Sequence, residues 1–421
     1  MKIVFVQHSS FLNGNGGTEK ICAFLANGFS KLGHEVIIAA SQAEGGGSVF
    51  PLEKNVDLKN IYDENVDQIN LLPLVNYRGA NPFKWIIGKI KKKYAKAYNK
   101  SQYRKFKDGE AGLYRHNLKN RALHWEKFLK ELNPDVIVTM SVSSLLEITY
   151  GTQLNIPIVN SVNGRPDYDF TDVIGYRPAY EMECLTESFK KLDGIQVLFD
   201  SYHQFLPETF GGIAKTIANP LPRYSKEDLP NHLATKKEYV IMNLARLDNE
   251  CKQQSLAIEA FSKVADRFPN WRLEFWGTGR DENLLQGLIE SLQLADRVFL
   301  KGFHPNPEEI LRTADIFIFP SKYEGFGLAL GEAMAMGIPS LGLASCSGVN
   351  ELIKHGETGF LAEDKESLID YMSILMEDAE KRAVMGAKGH EFSKAFDSEV
   401  IFQKWNGLLL EVVDQNNKIK Q

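Results

Sequence analysis

Residues 302–342 constrain the fold most, because they join a strand that is apolar on both faces to a helix through a glycine loop. The run at 314–320, ADIFIFP, has the β-branched and aromatic density of a doubly buried strand, is short, and stops at proline. Residues 321–327 read as a loop. From Leu328 onward Leu330, Ala333, Met334 and Met336 recur at helical spacing until Gly337 and Pro339 end the helix. Two-sided burial belongs to parallel sheets covered by helices, so the class is α/β.

The loop carries chemistry. Gly325 and Gly327 let the backbone approach a ligand closely, and the free amides of a helix start favour negative charge, a combination that suits phosphate. Glu324 lies in the loop and Glu332 within the helix, so both carboxylates are expected to face the crevice beyond the strand ends. Carboxylates accept hydroxyls, and hydroxyl pairs occur on sugars and ribose, so the pattern describes a sugar-nucleotide site. The plainer alternative, two glutamates facing water, is open to any such pair.

The same rhythm recurs along the chain. Residues 3–7 read as a strand, followed by a loop with Gly14, Gly16 and Gly17 and a helix striped by Ile21, Phe24, Leu25, Phe29 and Leu32; residues 36–40 form the next strand. Later strands are expected at 136–140, 158–162 and 195–199. A second series begins with a strand at 239–244, a helix at 254–268, a strand at 272–276 and a glycine turn at Gly277-Thr278-Gly279. With 421 residues the chain exceeds one core, so the expected architecture is two doubly wound Rossmann-like domains facing across a cleft. The boundaries are 1–222 for the first domain, 223–237 for a polar linker after Asn219-Pro220-Leu221-Pro222, 238–395 for the second domain and 396–421 for a final helix.

Charge and composition exclude some classes. The net charge of −5 argues against general nucleic-acid binding, and no apolar run nears the roughly 20 residues that a membrane span needs. The start, MKIVFVQHSS, reads as a strand and not a signal peptide, so a cytoplasmic protein is expected. Four scattered cysteines lack metal-site spacing and read as reduced structural thiols. One segment breaks the pattern: residues 84–107 hold ten lysines and arginines and no acid, interleaved with Trp85, Ile86, Ile87, Ile90 and Tyr94. Such a basic amphipathic stretch is either a solvated helix or a dock for an anionic membrane surface, peripheral on the inner face of the cell membrane.

At the 302–342 segment the chain resembles the retaining glycosyltransferases of family 4, with the GT-B architecture. The signature is Glu324-Gly325-Phe326-Gly327, then Glu332, then the helix exit Ala333-Met334-Ala335 with Gly337 and Pro339. Asn15-Gly16-Gly17-Thr18-Glu19 is similar to the family's amino-terminal glycine loop, Ala245-Arg246-Leu247 with Lys252 to its diphosphate clamp, and residues 347–351 to its last donor-side loop. The resemblance implies that Glu332 holds ribose hydroxyls and Glu324 the donor sugar, while Arg246 and Lys252 grip the diphosphate. Gly16 and Gly17 close over it, backbone near Phe303 receives the base, and Gly277, Gly325, Phe326, Gly327 and Leu328 complete the donor-binding set. No cofactor or metal is implied beyond the nucleotide-sugar co-substrate, with uridine diphosphate the commonest nucleotide. Asp167-Tyr168-Asp169 then reads as a polar loop and not a metal motif.

Two departures matter. Lysine follows arginine by six residues where the family commonly has five, a difference that a long lysine stem can absorb. Asn163, in 161–166 SVNGRP, stands where relatives often carry histidine, which keeps hydrogen bonding but not titration near neutral pH. The expected function is retaining transfer of a sugar to a glycan, lipid-linked or other hydroxyl acceptor in polysaccharide or glycoconjugate synthesis, with Arg246, Lys252, Glu324 and Asn163 as its catalytic set. Two rivals share the fold: a catalytically weak partner subunit of another glycosyltransferase, and a sugar-nucleotide epimerase.

Overall fold

The computed structural model describes residues 1–75, 77 and 81–420. The first domain holds a seven-stranded sheet of order β3-β2-β1-β4-β5-β6-β7, all neighbours parallel, with β1 Lys2–Val6, β2 Glu35–Ala40, β3 Val56–Asn60, β4 Val136–Thr139, β5 Ile158–Ser161, β6 Gly194–Val197 and β7 Ile213–Thr216. The second holds six parallel strands of order β10-β9-β8-β11-β12-β13, with β8 Tyr239–Leu244, β9 Trp271–Trp276, β10 Val298–Gly302, β11 Ile316–Phe319, β12 Ser340–Leu343 and β13 Gly359–Ala362. Central strands are buried at every residue, β4, β5, β11 and β12 among them, because helices cover both sheet faces. In each sheet the order reverses beside its first strand, between β1 and β4 and between β8 and β11. Loops leaving these strands diverge there and open a crevice, the usual ligand position in doubly wound folds.

Several elements differ in extent from their sequence patterns. The helix expected over 254–268 spans Gln254–Ser262. Beyond it the chain tightens into single turns, Lys263 N donating to Ala260 O and Val264 N to Phe261 O, while the Arg297 guanidinium binds the Phe268 carbonyl at 2.7 Å. The segment 223–237 is no loose tether but packs on the second domain. His232 Nε2 lies 2.9 Å from Gly337 O, Lys236 Nζ 2.6 Å from Asp315 Oδ1, and Asp228 Oδ1 3.1 Å from Arg312.

The final helix, Ser398–Lys420, lies against the first domain. The Phe402 ring packs tilted against Phe29, centroids 4.7 Å apart, Glu411 pairs with Lys215 at 3.0 Å, and Val412 crowds Gly194, where an added Cβ would come 2.7 Å from Val412 Cγ2. The domains also touch near the cleft. Phe199 stacks on Phe326 at 5.4 Å, and the Tyr202 hydroxyl donates to Gly325 O at 2.8 Å.

Candidate functional site

Two helix starts, one from each domain, converge on the cleft. The helix Gly17–Lys31 follows β1 and has Gly16 as its N-cap; the helix Leu328–Ala335 follows β11 and has Gly327, in the left-handed region at φ 81°, as its own. Neither cap supplies a side-chain hydrogen bond, so the first-turn amides of both helices remain open to a ligand. The ends are close: a Cβ on Gly17 would lie 3.0 Å from Leu328 Cδ1.

Between them lies a cavity of about 300 Å³. Its walls bring together Gly17, Asn163, Arg246, Lys252, Glu324, Gly325, Phe326, Gly327 and Leu328, which the sequence had marked. The Phe326 ring is buried against Phe199 and Phe396, so its contribution to the wall is backbone. Arg246 keeps a side chain 70% exposed, with Asp248 Oδ2 at 3.4 Å, and is free to swing onto an anion. Lys252 is held more tightly, Nζ 2.5 Å from Glu324 Oε1. Asn249–Lys252 form one helical turn, and Gln253 after it turns left-handed at φ 47°.

Other marked residues stand outside that wall. Glu332 is buried on its helix, its Oε1 2.5 Å from Lys20 Nζ of the first domain. Gly16 sits beside Glu19, where an added Cβ would lie 2.5 Å from Glu19 Oε2. Gly277 is at φ 135°, and a Cβ there would press to 2.1 Å from the Ala245 carbonyl oxygen, so it lets β9 run close beneath the arginine loop. Gly277 N donates to Gly302 O at 2.8 Å, which places the exposed Phe303 at the same edge of the second domain.

A second cavity of about 310 Å³ adjoins the first and shares Thr18, Asn163, Glu324 and Gly325 with it. Its farther wall comes from the first domain through Ser141, Gly164, Tyr168 and Asp169, closed by Tyr323. Asn163 Nδ2 donates to the Met140 carbonyl at 2.8 Å, which fixes the amide between the two cavities. Asp167 is tied to Arg165, Nε to Oδ1 at 2.6 Å, whereas Asp169 has no carboxylate hydrogen bond among the described residues. Burial pushes the Asp169 carboxyl up to about 6, opposed by Arg177 and aided by Asp167. Cys346, just before residues 347–351, is a buried thiol pushed up to about 12 by burial and by Glu324.

Sequence reasoning missed Lys20, Ser141, Asp169 and Tyr323 as wall or cleft residues. Thr18 was read as part of the Gly16-Gly17 loop but given no role of its own, and it lines both cavities. Lys20 has only its position one helical turn past Gly16, since its partner lies in the other domain.

Residues 225–392 match the family model of glycosyl transferases group 1. Among curated proteins the chain is similar to an exopolysaccharide phosphotransferase of Streptomyces coelicolor, 34% identical over 54% of this chain and 24% of that protein. It is also similar to an N-acetyl-alpha-D-glucosaminyl L-malate synthase of Bacillus anthracis, 32% identical over 47% of this chain and 53% of that one. The alignments thus span about half of these relatives' length or less. Among solved structures, S. aureus TarM in complex with fondaparinux, alpha-GlcNAc-glycerol and UDP superposes with a TM-score of 0.72 at 15% identity, covering 97% of this chain and 100% of that one. The second domain is therefore a glycosyl transferases group 1 domain, and the whole chain has the GT-B fold of two facing Rossmann-like domains, as the signature from Glu324 to Pro339 implied.

Proposed function

We propose that the chain transfers a sugar from a nucleoside diphosphate donor, a uridine diphosphate sugar in the first instance, to an acceptor hydroxyl with retention of configuration. The observation that carries this is the meeting of two uncapped helix starts, Arg246 and Lys252 at one cavity. Such a site is made for a diphosphate. When the bond between the anomeric carbon and the phosphate oxygen breaks, negative charge grows on the leaving phosphate. Fixed amides from both domains lower its energy without reorganisation, and the two cations Arg246 and Lys252 add to them. No step in this scheme calls for a metal ion.

Glu324 orients the donor sugar and Glu332 the ribose hydroxyls. The acceptor enters by the adjoining cavity, where Asp169 receives its hydroxyl and Asn163 separates it from the donor. Because the cavities meet at Thr18, Glu324 and Gly325, beside the diphosphate amides, the acceptor approaches on the face the leaving group vacates. The acceptor is a glycan or lipid-linked saccharide of cell-surface polymer synthesis, met at the inner membrane face. A role as an inactive partner subunit is disfavoured because Arg246, Lys252 and Glu324 all reach one cavity.

A thermal-shift panel of nucleotide sugars tests the reading. A true donor at a hundred times its dissociation constant stabilises by about 2.7 kcal/mol, a melting shift of several degrees. No shift with any nucleotide sugar or nucleoside diphosphate would overturn it.

A further inference from the structure

The helix Pro82–Tyr103 is anchored to the first domain by one face only. Its buried residues are Ala95, Asn99 and Gln102, and Asn99 is bound to Leu72 through both its amide oxygen and its amide nitrogen. Away from that face, large apolar side chains stand in water: Phe83 is 76% exposed, Ile90 64% and Tyr94 67%, and Ile86 and Ile87 are half exposed. At about 100° per residue these five side chains fall in one stripe along the helix, roughly a third of a turn from the buried face.

Lysines border the stripe on both sides. Lys84 and Lys91 lie between it and the domain; Lys89, Lys93, Lys96 and Lys100 follow one another along the opposite flank at helical spacing. The helix has no acidic residue, in a chain whose net charge is −5. Beside the stripe, Leu74 and Val75 are also exposed, and a groove of about 770 Å³ is lined by Leu72, Pro73 and Val75 on one side and by Ile87 and Tyr94 of the helix on the other.

We propose that this face docks on an anionic phospholipid bilayer, the helix lying in the plane of the membrane with the apolar stripe among the acyl chains and the lysines at the headgroups. A soluble polyanion would satisfy the lysines and leave the stripe in water. An uncharged apolar partner would cover the stripe and strand the lysines. An anionic bilayer presents negative charge at its headgroups and hydrocarbon beneath them, and so covers both. The helix stays attached through Asn99 while its outer face enters, so docking requires no unfolding. The inference stands apart from the donor chemistry, because no residue of the helix lines either cleft cavity.

The test is co-sedimentation of the full chain with vesicles of phosphatidylglycerol and phosphatidylcholine, against vesicles of phosphatidylcholine alone, at low and high salt. Two double variants accompany it: Ile86→Ser with Ile90→Ser, and Lys89→Glu with Lys93→Glu. All four positions are on the surface, and melting temperature confirms folding. Wild type is expected to bind the anionic vesicles at least tenfold better than the neutral ones, weakening with salt, and each double variant to lose at least tenfold. Equal binding by wild type and the lysine variant would overturn the proposal. So would binding to heparin without binding to vesicles, or an apolar-dependent dimer that binds neither.

Discussion

Lys20 Nζ lies 2.5 Å from Glu332 Oε1 across the cleft, between side chains 312 positions apart in the chain. The pair joins the helix after β1 to the helix after β11, the two whose open starts form the candidate diphosphate site. It compensates the carboxylate assigned to ribose and draws the domains together. The glutamate side chain is 10% exposed, so charge compensation counts there in a way it does not at a free surface.

Lys20→Met is therefore expected to weaken donor use. A lost charge-assisted bond of about 1.5–3 kcal/mol corresponds to roughly a ten- to hundredfold fall in kcat/KM. A double-mutant cycle with Glu332→Gln, read by steady-state kinetics, should give strongly non-additive losses; additive losses would mean the two residues act apart.

Gly325 sets how closely the domains approach. A Cβ there would lie 2.0 Å from the Asn163 carbonyl oxygen of the opposite domain, too short for any real contact. Gly325→Ala should wedge the cleft open, lowering turnover by about a hundredfold or more, as a misplacement near 1 Å can. Small-angle scattering should show a larger radius of gyration, and an unchanged radius with full activity would contradict the close approach.

Asp169 gives a pH signature. Its carboxyl is held above the ordinary carboxylate value, at about 6, chiefly by burial. The folded state thus favours the protonated form, so this contribution to stability is fully present below about pH 4 and lost as pH rises through about 6. Asp169→Asn is expected to raise the melting temperature relative to wild type above pH 6, with the difference vanishing near pH 4. If the ionised carboxylate receives the acceptor hydroxyl, wild-type kcat/KM for acceptor also falls on the acid side of pH 6, and the variant is slow at every pH. A pH-independent stability difference would place the carboxylate in water.

Chelation should change nothing. Treatment with EDTA followed by dialysis is expected to leave turnover within twofold, because Arg246, Lys252 and backbone amides are assigned the charge stabilisation. A loss restored by magnesium or manganese would require that assignment to be revised.

The sheets were legible because doubly buried strands such as β11 are apolar at every residue, and the cavity wall because Glu324, Gly325 and Gly327 are contiguous with one of them. Other features depend on tertiary partners with no local trace. Lys20 reads as an ordinary exposed helix lysine until Glu332 is brought opposite it. Helical spacing of Phe261, Val264, Ala265 and Phe268 continues past Ser262, yet the Arg297 guanidinium takes up the Phe268 and Ala265 carbonyls and the chain tightens into turns. The segment 223–237 looked like a linker because its polar side chains are capped by residues far along the chain, Asp315, Arg312 and Gly337.

The cleft is proposed to break the bond between a sugar and a nucleoside diphosphate. The direct measurement is release of nucleoside diphosphate from a panel of labelled nucleotide sugars, with and without mixed glycan and lipid-linked acceptors, by wild type and Arg246→Ala. Wild type should release diphosphate from at least one donor. Arg246→Ala should be slower by about a hundred- to a thousandfold, the usual loss for one stabilising donor, with an unchanged melting temperature because its side chain is mostly exposed. Release that is undiminished in the arginine variant, or absent for every donor in the wild type, would contradict the account.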